Sequence, residues 1–197
     1  MRCFFSSIND RYGMFVALPV SLIFLPSPLA WAAGKGHAAH EHGVAVLNIV
    51  AEGNTVVLQL ETPSESIYGF EHEAKKPAEI KKRDEAVEKL KTSADKMFLL
   101  DPALACKVVT VDVKPFVTEA KVPQPQEKKP HKHHKEGTHS EVHATFKFEC
   151  GKPVAGSLLK FAARSQFKSL RTLKVQVLSD DKQSGNTITN DKGTVQL

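Results

Sequence analysis

Between residues 121 and 140 the chain reads KVPQPQEKKPHKHHKEGTHS, with three prolines, five lysines and Val122 as its one apolar side chain. A stretch of this composition has nothing to bury and cannot contribute to a core. The fold must therefore be closed by the residues on either side of it, and the stretch is expected to be a mobile excursion between two strands. Alternation resumes directly afterwards, over residues 141–149. There Val142, Ala144, Phe146 and Phe148 point one way, and Glu141, His143, Thr145, Lys147 and Glu149 the other.

The same period of two appears earlier. Residues 44–51 (VAVLNIVA) and 55–62 (TVVLQLET) are β-branched runs separated by Glu52, Gly53 and Asn54, a hairpin signature in which Gly and Asn accept a positive φ. Leu47 and Ile49 should face the core, as should Val56, Leu58 and Leu60. Pro63 ends the second strand, and residues 67–73 read as a loop or single turn. From Pro77 the spacing becomes helical, with Ile80, Arg83, Val87, Leu90 and Ala94 on one stripe. Residues 107–113 alternate as a strand with Val109, Val111 and Val113 on one face. Residues 158–171 (LLKFAARSQFKSLR) read as a second helix, residues 173–178 as a strand, and a polar hairpin leads to a last strand at 194–197. These expectations describe an α+β domain: a mostly antiparallel sheet or small sandwich with two helices.

The first 32 residues are expected to be removed. Arg2 and Arg11 precede an apolar run at residues 14–25, and Ala30-Trp31-Ala32 supplies a cleavage pattern, the features of a secretory signal peptide. The run is shorter than the roughly 20 residues of a bilayer span. No later stretch is long and apolar enough to cross, so no membrane span is expected. Residues 33–197 form the expected single domain.

Export bears on the cysteines. Cys3 lies within the signal, which leaves Cys106 and Cys150 in an oxidising compartment, where an even number of thiols pairs. One disulfide is expected, closing over the Pro- and His-rich excursion and contributing up to ~4 kcal/mol on the chain-entropy estimate. A metal site using the thiolates is the alternative, although the two are not spaced as a short chelating motif. The net charge of +5 comes from Lys-rich linker and helix faces rather than an Arg-aromatic stripe, so nucleic acid is not an expected partner.

Nine histidines are present, and eight of them fall in two tracts: His37, His40 and His42 ahead of the first strand, and His131, His133, His134, His139 and His143 across the excursion and into the strand after it. Neutral imidazole is the commonest ligand for zinc, copper and nickel, and such clustering points to a metal ion. Along an extended strand side chains at i and i+2 lie ~7 Å apart on one face, so His40 with His42, and His131 with His133, can chelate together. Glu141 and His143 form another feasible pair, whereas His139 and His143, if both extended, lie ~13 Å apart. His72 stands outside the tracts, between the carboxylates of Glu71 and Glu73. A folded site drawing on His40, His42 and either His72 or His143 is expected beside a looser site in the excursion. Imidazole with carboxylate suits Zn(II), with Ni(II) and Cu(II) as alternatives.

No His-Glu-x-x-His, Gly-x-Ser-x-Gly or Cys-x-x-Cys occurs, and no phosphate-binding Gly loop. The expectation is accordingly a metal-binding protein rather than an enzyme, with no catalytic residue. The alternatives are an exported structural or interaction module that binds metal adventitiously, and a metal-dependent hydrolase.

The order of His40-Glu-His-Gly-Val-Ala-Val-Leu-Asn48, Gly69-Phe-Glu-His-Glu73, Cys106 after an Ala-rich run, the His-rich insertion, and His139-Ser-Glu-Val-His143 leading to Cys150 resembles the periplasmic zinc-binding proteins of the zinc-regulated ZrgA type from Gram-negative bacteria. The resemblance spans most of residues 33–197. It implies periplasmic zinc binding in support of zinc import, beside a zinc transport system as partner. It also implies ligand roles for His40, His42, His72, His139 and His143.

Overall fold

The computed structural model describes residues 41–118, 139–180 and 182–197. The expected signal peptide, His37, His40, His131, His133 and His134 lie outside the described residues.

Two strands, β1 (Val44–Glu52) and β2 (Thr55–Pro63), form the expected hairpin around Gly53, whose φ is +53°. A one-turn helix α1 (Ser64–Tyr68) follows, then the long helix α2 (Pro77–Thr92), a short helix α3 (Ala94–Met97) and strand β3 (Phe98–Leu100). A 3-10 turn at Pro102–Leu104 leads into β4 (Lys107–Thr118), which pairs with β5 (Ser140–Glu149). The chain ends with β6 (Leu158–Phe161), helix α4 (Ala163–Gln166), β7 (Thr172–Ser179), β8 (Gln183–Thr189) and β9 (Thr194–Gln196).

The strands make two sheets, one of six strands in the order β4-β5-β2-β1-β7-β8 and one of three in the order β3-β6-β9. Every pairing is antiparallel except β1 with β7. One face of the large sheet buries Leu47, Ile49, Leu58, Leu60, Phe146 and Val175. The small sheet contributes Phe98, Leu159 and Phe161 to the same core, and Phe98 packs on Phe146 with ring centroids 5.1 Å apart, joining the sheets. Each such buried side chain stabilises the fold by roughly 1.5–3 kcal/mol. The α+β class, the mostly antiparallel strands and the sandwich agree with the sequence, as does the Cys106–Cys150 disulfide, which joins residues 44 apart.

Four local expectations differ. There are four helices among the described residues rather than two, and only α2 exceeds five residues. Residues 158–171 are not one helix: Leu159 and Phe161 are buried while Leu158 and Lys160 face out, a period of two, because β6 is sandwiched between β3 and β9 and takes their geometry. In β4 the register slips between Val108 and Thr110, so Val109 is the extra residue of a bulge and is 47% exposed, and Val108 joins Val111 and Val113 against the core. On α2 only Leu90 is fully buried, and Ile80 lies near the exposed end of the helix.

Candidate metal centre

One end of the large sheet gathers the start of β1, the end of β2, the start of β5, the end of β4 and the start of β7. His42 sits in the turn before β1. Its neighbour Gly43 has φ +80°, and a Cβ there would lie 2.8 Å from both Arg171 Nε and the Ser169 carbonyl, so this turn requires glycine. The Gly43 N–H donates to Ser66 Oγ (3.2 Å), while its carbonyl accepts from the N–H groups of Arg171 (2.8 Å) and Thr172 (3.0 Å). The turn is thereby fixed to α1 and to β7.

Pro63 closes β2 and starts α1, whose first turn carries Glu65. Gly69, at φ +88°, caps α1 by donating to the Glu65 carbonyl (2.9 Å) and turns the chain toward Glu71. The Glu71 carbonyl accepts from Ser140 Oγ, and Ser140 Oγ and Ser64 Oγ are hydrogen-bonded to each other (3.0 Å). That buried serine pair ties the start of β5 to α1 and sets His139 beside Glu71.

The result is a cluster. His42 Nδ1 meets Glu65 Oε2 and lies 3.8 Å from Glu71 Oε1, and His139 Nδ1 meets Glu71 Oε2. Donor atoms of His42, Glu65 and Glu71 all fall within 4.8 Å of one another. Four-coordinate zinc, with bonds of about 2.0–2.2 Å, spaces its ligands roughly 3.3–3.6 Å apart, so small side-chain adjustments bring these donors to one ion. Glu71 Oε1 is buried and has no hydrogen-bond partner, an unsatisfied acceptor turned toward His42. Two imidazoles and two carboxylates have the donor chemistry of a site for a borderline divalent metal ion.

The other described histidines stand apart. His72 stacks on Phe70 at 4.8 Å and reaches Glu79 Oε2 at 3.4 Å, at the start of α2. His143, on the outer face of β5, contacts Glu141 Oε2 at 2.9 Å, the pair expected from i, i+2 spacing, and its cross-strand neighbours are Glu61 and Lys114. Among the described residues only His42, Glu65 and Glu71 form a group of three or more potential ligands close enough to share an ion. The sequence reading named His42 and His139 but neither Glu65 nor Glu71 as a ligand. A signal existed: carrying the β1–β2 register outward from Val46↔Glu61 sets His42 opposite Glu65, and carrying the β2–β5 register outward from Pro63↔Glu141 sets Glu65 opposite His139.

The architecture and donor set define a disulfide-bonded α+β protein with a candidate site for a divalent cation. The chain belongs to the ZrgA family of zinc uptake proteins, whose family model matches residues 39–197. No protein with a curated description matches the chain. Among the described residues no helix is long and apolar enough to cross a membrane.

Proposed function

We propose that this member of a zinc uptake family is a periplasmic protein that holds Zn(II) as cargo between His42, Glu65 and Glu71, with His139 as the fourth ligand, and supplies it to an import system. The observation that carries the reading is the buried, unpartnered Glu71 Oε1 facing His42. Leaving a carboxylate oxygen out of water with no hydrogen-bond partner is costly, and a dication between it and His42 Nδ1 would remove that cost. His37 and His40 precede the site in sequence and His131, His133 and His134 belong to the excursion, so these imidazoles are proposed to capture zinc and pass it inward. The excursion leaves from Thr118 and returns at His139, and Thr118 pairs with Ser140. Both its ends are therefore beside the folded site.

Calorimetric zinc titration of the wild type against Glu71→Gln and His42→Ala tests the reading. Each substitution removes one ligand and should weaken the tightest phase at least about tenfold, the scale seen on disturbing metal-site residues, while the metal-free proteins keep the circular dichroism spectrum of the folded wild type. Unchanged tight binding in both variants would show that the site lies elsewhere. Because imidazole binds only when neutral, the tight phase should also weaken in acid.

A further inference from the structure

Next to the cluster lies a cleft of about 290 Å³ whose lining combines acidic and basic groups. It is lined by the potential ligands His42 and Glu65, the cations Lys168 and Arg171, and the hydroxyl residues Ser66 and Ser169. It adjoins a second cleft of about 390 Å³ through Glu65, Ser66, Lys168 and Ser169, and this one adds Lys82 and Lys89. Some of these cations are committed. Lys89 Nζ donates to the Gln166 carbonyl (2.6 Å) and sits over the Phe167 ring, and Arg171 Nη2 donates to the His42 carbonyl (3.2 Å). Lys168 and Lys82 make no ion pair with a described residue. The carboxylates nearby are Glu65, at the cluster itself, Glu85, which faces Lys81, and Glu41, which faces Lys174.

This arrangement is unexpected around a cation site. Glu65 and Glu71 together neutralise a dication, so once the ion is bound, Lys168 and Arg171 leave the adjoining cleft positive. Resting on the zinc reading above, we infer that the cleft binds a small polycarboxylate that shares the metal. One carboxylate would take a fifth coordination position beside His42 and Glu65, and another would meet Lys168 and the Arg171 guanidinium. The cargo is then a zinc–carboxylate pair rather than the bare ion. The cleft's volume is near the lower end for small-molecule sites, about 300 Å³, and suits a ligand of few heavy atoms.

Malonate is the probe, because it carries two carboxylates in three carbons. Zinc affinity of the intact protein is measured by competition with a fluorescent chelator at fixed free zinc, with malonate, acetate, phosphate or no added anion. By linkage, an anion that shares the site tightens zinc as much as zinc tightens the anion. Malonate should tighten zinc about tenfold, acetate and phosphate by less than about twofold, and Lys168→Gln should reduce the malonate effect to less than about threefold. The same competition with the cobalt-substituted protein should show malonate shifting the visible absorption bands. If malonate leaves zinc affinity and the cobalt spectrum unchanged while Glu71→Gln still abolishes tight binding, the anion site is wrong and the metal site stands. If Glu71→Gln and His42→Ala keep tight zinc binding, the metal reading itself fails and takes the anion site with it. A phosphate effect equal to that of malonate would overturn the assignment to polycarboxylates.

Discussion

Glu79 shows how one side chain serves both local structure and the region beside the site. It occupies the third position of α2, where its carboxylate accepts from the N–H groups of Lys75 and Lys76 (each 3.4 Å) and faces the Lys76 ammonium at 3.3 Å and His72 at 3.4 Å. Its partial removal from water raises its pKa, but the two backbone donors and the Lys76 charge together hold it below the ordinary value. A carboxyl depressed in the folded state contributes stability above its unfolded pKa and loses it as the pH falls through the folded value. Glu79→Gln should therefore melt at a lower temperature than wild type near pH 7, and the two curves should converge in acid, as melting followed by circular dichroism would show. Asp191 has the opposite sign: burial raises its pKa, although its Oδ2 accepts from the Arg164 N–H (2.9 Å). Its ionisation opposes folding, so Asp191→Asn, which keeps an acceptor and suits the positive φ of 58°, should raise the melting temperature near pH 7 and lose that advantage in acid. At this scale the imidazoles were legible and the carboxylates were not. His42 and His139 belong to visible tracts, whereas Glu65 and Glu71 look like any solvated acid until β1, β2 and β5 are aligned. His72, outside the tracts and flanked by two acids, stacks on Phe70 and turns to Glu79.

Helix and strand were separable where one face is buried and the other wet, and confusable where context decides. β1, β2 and β5 declare themselves because they cross the middle of the large sheet. Residues 158–171 carry apolar side chains at both helical and strand spacing, and only the presence of β3 and β9 on either side makes the strand pattern win. The two assignments differ over adjacent residues. Leu159 is fully buried and Leu158 is 56% exposed. Leu159→Ala should cost about 2–5 kcal/mol in denaturant unfolding, against about 0.5 kcal/mol or less for Leu158→Ala. Equal costs at the two positions would contradict the strand. The bulge at Val109 was hidden for a related reason, since a sequence with valine at 108, 109, 111 and 113 fits two registers and the pairing with β5 selects one.

For the whole molecule, the β4–β5 hairpin is the element that connects the disulfide to the candidate metal centre. Its two ends have separate tasks: Cys106 at the start of β4 and Cys150 just after β5 close one end by a disulfide, while Thr118 and Ser140 pair at the other, beside Glu71 and His139. The disulfide and the strand pairing as far as Thr118↔Ser140 hold the hairpin at both ends. Replacing residues 119–138 with a short Asn-Gly turn should therefore preserve the fold, and shortening the loop that the disulfide closes changes its entropic contribution by only about 0.5 kcal/mol. Zinc binding, by contrast, should separate into two parts. Ligands that the fold already positions lose less conformational entropy on binding than ligands in a tract whose composition offers nothing to pack, so the cluster should be the tighter site. The shortened protein should keep the tight calorimetric phase and lose a weaker one, and the substitution of His131, His133 and His134 by Ala in the full chain should do the same. His42→Ala should give the reverse. In cells, loss of the protein should slow growth only when zinc is scarce, with the shortened form rescuing partially. Normal growth of the null strain under chelation would count against a supply role, and loss of the tight phase on shortening would show that the excursion itself contributes a ligand to the folded site.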